Sequence, residues 1–299
     1  MNTAELLDTV FELYKKTFWR QMVRAMLFGA PAYAAIIVVL ITGAFVVGAT
    51  GTGGLPAVVS AAVVAAIFLV WDTLGVSGGV SLTEQAFYKH DVSLDVMFKD
   101  IKKNFLRVLA SLAATALLAL PPLAAAVFLL AGLIKTPSVY SPWLTISPGT
   151  AVCLALLIFM IIFASVSFFN ALTSAAAPAA AIEKKIFAAA VLRSFSLLKG
   201  DIFKTGGVFM LWRLITGSLE LSFMVVFFLV SGSFTAVLGA FSEYAGPGAL
   251  FSLLGNNWAY LLVSLVLSPL GCILNTAVYF NQRIKKEGFD MEIELAEAG

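Results

Sequence analysis

Six long apolar runs recur along this chain, at 27–49, 55–71, 108–134, 150–172, 208–230 and 258–279, and they constrain the fold more than any other feature. Each is close to the ~20 residues that cross a bilayer as a helix, the second being short unless it runs past Asp72. None alternates apolar and polar residues as the strands of a membrane barrel do. A soluble core cannot absorb them, because 61% of the residues are hydrophobic and 12% charged, against roughly a quarter charged in soluble domains. The expectation is an all-α integral membrane protein with six transmembrane helices.

The charges fix the orientation. Lys15, Lys16, Arg20 and Arg24 precede the first run, positions 89–107 separate the second and third, positions 184–204 the fourth and fifth, and Arg283, Lys285 and Lys286 follow the sixth. The opposite loops carry one basic residue, Lys135. Basic loops stay cytoplasmic, which predicts a multi-pass protein with both termini inside the cell. Glu5, Asp8 and Glu12 crowd the first turns, so the N-terminus does not read as a cleaved signal peptide. Cys153 and Cys272 fall inside apolar runs and His90 stands alone, a pattern that calls for no disulfide framework, metal or cofactor.

Where each cytoplasmic segment meets an odd-numbered run, the sequence repeats three times without gaps. The junctions are Tyr14-Lys15-Lys16-Thr17-Phe18-Trp19-Arg20, Ile101-Lys102-Lys103-Asn104-Phe105-Leu106-Arg107 and Leu198-Lys199-Gly200-Asp201-Ile202-Phe203-Lys204. Thr17, Asn104 and Asp201 have side chains suited to capping a helix start. Upstream of each lies an amphipathic stretch, such as Leu7, Val10, Phe11, Tyr14 and Phe18 opposite Glu5, Asp8, Glu12 and Lys15, expected to lie on the membrane surface. Each even-numbered run ends with a lone polar residue about a dozen positions before an acid: Asp72 and Glu84, Asn170 and Glu183, Asn275 and Glu287. The chain thus reads as one membrane domain, 1–299, of three parallel two-helix repeats, 1–80, 81–175 and 176–280, each preceded by a cytoplasmic amphipathic surface helix. A cytoplasmic tail at 281–299 completes it.

Three stretches, ELLDTVFELYKKTFW, EKKIFAAAVLRSFSLLKGDIFKTGG and AVYFNQRIKKEGFDMEIEL, carry a likeness to a known family. In them, and most specifically at Glu287-Gly288-Phe289-Asp290, the chain resembles the glycerophosphoryl diester phosphodiesterase membrane-domain family of bacteria and archaea. The activity in that name belongs to a separate soluble barrel fused to some members, for which the 299 residues leave no room beside six spans. The resemblance implies a stand-alone module of the prokaryotic cytoplasmic membrane that acts as an accessory or scaffold component.

Charges inside spans are functional candidates by default. Arg213 and Glu220, seven residues apart, share one face of a helix. They either line a polar cavity or are satisfied by snorkelling and by a neighbouring helix. Asp72, Asn170 and Asn275 would converge around the repeat axis as a vestibule, or close their own helix ends locally. Lys15, Lys16, Arg20, Lys102, Lys103, Arg107, Lys199 and Lys204 could grip anionic lipid headgroups, at roughly 1 kcal/mol per cation, or serve topology alone. Gly51-Thr52-Gly53-Gly54 and Gly75-Val76-Ser77-Gly78-Gly79 lack the pattern of a nucleotide loop and read as a turn and as close helix packing. Positions 231–257 read as a long apolar outer loop, re-entrant or a docking surface.

No nucleophile, base and oxyanion group come together in the sequence, so an enzyme is not expected. Paired polar residues at mid-membrane are lacking, only Glu220 approaching that depth, so the preferred reading is the non-enzymatic membrane scaffold or accessory subunit that the resemblance implies, with membrane lipids and other membrane proteins as partners and no nucleic acid. The alternative is a transporter or channel whose pathway runs between the repeats and involves Glu220.

Overall fold

The computed structural model describes residues 3–50, 54–88, 91–135, 148–241 and 248–288, with most side chains in 33–61, 122–159 and 224–264 outside that description. The elements are α1 (Thr3–Thr50), α2 (Gly54–Phe87), α3 (Leu94–Lys135), α4 (Pro148–Thr173), α5 (Ala176–Ile182), α6 (Ala188–Leu198), α7 (Ile202–Phe241) and α8 (Gly248–Glu287). There is no strand among the described residues. Each of the six apolar runs falls inside one long helix. Among the described residues three segments, Ala62–Phe87, Leu94–Pro121 and Met160–Ile182, are long and apolar enough to cross a membrane.

The helices outrun the apolar runs. α7 continues to Phe241 and α8 begins at Gly248, so helix occupies most of the expected outer loop, and 242–247 lies outside the described residues. The spacing of Phe234, Val237, Leu238 and Phe241 is itself helical. Pro121 and Pro122 do not end α3; away from water a backbone keeps its remaining helical bonds because nothing else can satisfy its amides. α2 and α8 likewise run past the repeat limits at 80 and 280.

The amphipathic segments differ from expectation in two ways. In α1 and α3 they continue unbroken into the apolar run, and only in the third unit does a separate helix, α6, stand before it. Gly200 explains the difference: its φ of +96° ends α6, whereas the aligned Lys16 and Lys103 stay helical. Thr17 and Asn104 are therefore helix-interior residues rather than caps. Thr17 Oγ1 donates to the Leu13 carbonyl at 2.7 Å, and Asn104 Oδ1 accepts from Arg107 at 3.2 Å.

Second, the apolar faces are partly covered by protein, with Phe11, Phe98 and Phe187 left exposed. Leu6, Val10 and Leu13 of α1 and Met97 and Ile101 of α3 are buried in one core with Phe209 and Trp212 of α7 and Leu267 and Leu270 of α8. Phe11 meets Trp212 with ring centroids 6.0 Å apart, and Tyr14 Oη donates to the Val266 carbonyl at 3.1 Å. An amphipathic period demands cover for one face without specifying lipid or protein.

The long helices form a ring. α1 packs on α2, α2 on α3, α4 on α7, α7 on α8 and α8 on α1, while the thin contact of α3 with α4 is reinforced by α5. The turns at the ends of α5, α6 and α8 are tied by charge. Arg193 pairs with Glu183 at 2.8 Å and with Glu287 at 2.6 Å, and Arg283 pairs with Glu287 at 3.0 Å. Tyr279 donates to Glu183 at 2.9 Å. Lys285 reaches Asp201 at 2.5 Å, and Lys286 donates to the Lys199 carbonyl at 2.5 Å, satisfying the open end of α6.

Candidate functional site

Asp72, Asn170, Arg213, Glu220 and Asn275 all line a single cavity of about 670 Å³ inside the ring, within the usual size of small-molecule sites. All six long helices contribute to its wall. On α7 the lining residues are Phe209, Trp212, Arg213, Thr216, Gly217 and Glu220, one face of one helix. Arg213 is exposed and Glu220 half-buried, so this pair faces the cavity and not a helix seam.

Positions equated by the sequence alignment of the three junctions recur on the wall. Extending the gapless junction alignment, Ala25, Leu112 and Phe209 occupy equivalent positions and all line the cavity; so do Phe28, Thr115 and Trp212. The three lone polar residues Asp72, Asn170 and Asn275 make a third set. Burial follows the same register. Val10, Met97 and Ser194 are equivalent and each fully buried. Trp19, Leu106 and Phe203 are equivalent and stand 78%, 74% and 83% exposed.

Arg24 was counted in the sequence only among the topology charges, yet it lines the cavity and is 3% exposed. Its guanidinium donates through Nη1 to the Gly75 carbonyl, while its Nε has no partner. Gly78 and Gly79 make room for it. A Cβ at Gly79 would stand 2.7 Å from Arg24 Nη1 and 2.5 Å from Cys272 Sγ, and one at Gly78 would stand 3.1 Å from Arg24 Cδ. The glycine stretch thus gives close packing of an arginine, as well as a helix, against α2. The signal that could have revealed Arg24 is that its equivalents are Ser111 and Val208, so only one copy carries the charge.

Two arginines and two acids therefore face one cavity. Among the described residues no direct ion pair joins any of the four. Charged side chains inside a helical bundle are retained where they meet water or a bound group, and an open cavity supplies that. Asp72 is exposed to it, and Asn170 and Asn275 are half-buried. Among the described residues no group of three His, Cys, Asp or Glu side chains could hold a metal.

The basic junctions lie elsewhere. Lys15, Lys16, Arg20, Lys102, Lys103, Lys199 and Lys204 are exposed and Arg107 half-buried, none of them lining this cavity. Lys16 Nζ also donates to the Ala86 carbonyl at 3.2 Å, holding α1 to the end of α2. Of the acids that follow the even-numbered runs, Glu183 and Glu287 join the arginine network, whereas Glu84 lines a second cavity of about 380 Å³ with Asp100, Lys103 and Lys184. The hydrogen bond from Lys285 holds the Asp201 carboxyl below the ordinary aspartate range. Burial works against ionisation of Glu287, but hydrogen bonds from Arg283 and Arg193 outweigh it and hold that carboxyl below the glutamate range. His90 and the side chain of Cys153 lie outside the described residues. Compared with protein-family models, curated proteins and solved structures, the chain matches none.

Proposed function

We propose that this chain is a six-span membrane transport protein, built as three parallel helical hairpins, that binds a polar or amphipathic small molecule in the cavity at their centre. The observation that carries the reading is the meeting of Arg24, Asp72, Arg213 and Glu220, none directly paired, on one cavity walled by equivalent positions of the three units. Two spans per unit preserve orientation, so the units are related by an axis along the membrane normal, and the cavity lies on that axis. Both termini then face the cytoplasm. The exposed triplet Trp19, Leu106 and Phe203, each followed by Arg20, Arg107 or Lys204, suits a headgroup layer rich in anionic lipid. Kinship with the glycerophosphoryl diester phosphodiesterase membrane-domain family is proposed on the three quoted stretches alone.

Extraction into lipid nanodiscs followed by mass spectrometry of bound small molecules tests the reading. Wild-type protein is expected to retain a small molecule that Glu220→Gln and Asp72→Asn lose. The scaffold reading predicts instead co-purifying membrane proteins, and a small-molecule complement unchanged in both variants would favour it over transport.

A further inference from the structure

The cavity charges are balanced in number and, among the described residues, none is directly ion-paired, although Arg24 and Asp72 lie near enough to interact electrostatically. Arg213 and Glu220 stand seven residues apart on α7, about 10 Å along the helix axis. Arg24, on α1, is nearly fully buried in the same wall, with its Nε unpartnered. A bare anion entering here would meet two carboxylates, and a bare cation two guanidiniums, with no net charge to attract either. A net-neutral molecule with charges of both signs at a distance suits all four groups. The wall also carries Phe28, Phe68, Trp71 and Trp212, so the occupant carries apolar surface or a compact alkylated cation as well. Asn170 and Asn275 offer amide donors and acceptors that are indifferent to charge sign.

Resting on the reading of this cavity as a binding site, we propose that its ligand is a zwitterion, with the anionic group on Arg24 and the cationic group on Glu220. The chemistry is shared by zwitterionic amphiphiles of the bilayer and by small water-soluble zwitterions, and the arms of the test separate these sources.

Two measurements on the full chain in maltoside micelles decide it. The first replaces Thr216, a lining residue, by Cys in a Cys153→Ala, Cys272→Ala background and asks whether a small charged methanethiosulfonate labels it. The second follows tryptophan fluorescence, Trp71 and Trp212 lining the cavity, on titration with decyldimethylammonio-propanesulfonate, decyl sulfate, decyltrimethylammonium and glycine betaine. The expected result is labelling at position 216 and a preference of about tenfold or more for a zwitterion over both singly charged amphiphiles. Glu220→Gln removes the advantage over decyl sulfate, and Arg24→Gln the advantage over decyltrimethylammonium. If Arg24→Gln fails to fold, Arg24→Lys keeps the charge without the Nε donor and is expected to weaken zwitterion binding. Tight glycine betaine binding identifies the water-soluble source; binding that needs the decyl chain identifies the amphiphile. Labelling with no preference for zwitterions, or with no binding at all, overturns the ligand class while leaving the cavity. Absence of labelling overturns the cavity itself.

Discussion

Ser194 holds the joint between α4 and α5 with one hydroxyl. Its Oγ, fully buried, accepts from the Ala175 N–H at 3.2 Å and donates to the half-buried Leu172 carbonyl at 2.6 Å. Ser194→Ala would leave both backbone groups without a partner, at about 1–3 kcal/mol, so its melting temperature in detergent is expected to fall clearly; an unchanged melt would show that water replaces the hydroxyl. Asp201 and Glu287 give a pH signature, because both are more acidic when folded than when unfolded. Their stabilisation is complete above the unfolded values near 4–4.5 and is lost as pH falls through the lower folded values. Thermal stability is expected to drop on acidification below about pH 4.5, less so in an Asp201→Asn, Glu287→Gln double variant. An equally steep drop in that variant would assign the effect to other carboxyls.

At the scale of elements, the contact between α4 and α7 turns on Gly206, where a Cβ would collide with the Phe168 ring. Gly206→Ala is expected to cost about 1–3 kcal/mol by overpacking, read as a lowered melting temperature, and Phe168→Leu in the same chain should recover part of it. The network joining α5, α6 and α8 predicts coupling: in a double-mutant cycle, Arg193→Gln and Glu287→Gln should interact by about 1 kcal/mol, partly exposed as they are. A coupling of zero would make the pair ornamental. Much of this layer was legible in the sequence. The apolar runs gave the long helices, and the amphipathic stretches were recognised by their period. What covers an apolar face is not encoded in its period, so the packing of Leu6, Val10 and Leu13 against other helices was not. The break before α7 was equally hidden, because Gly200 aligned with two lysines looks like tolerated variation until its positive φ is seen.

At the scale of the molecule, the polar residues singled out in the sequence meet on one cavity. Asp72, Asn170 and Asn275 were expected either to converge on an axis or to close their own helices, and all three line the cavity with Arg213 and Glu220. Arg24 escaped because a basic residue at the head of an apolar run has two uses, topology and site, which one sequence cannot separate. The arrangement we propose is six spans with every lysine-rich junction on the cytoplasmic side, and impermeant thiol labelling of intact cells tests it most directly. With Cys at position 16, 103 or 199 in the cysteine-free background, each site is expected to react only after the membrane is permeabilised. Reaction of any of them in sealed cells would contradict the topology, and with it the three-hairpin ring across the bilayer.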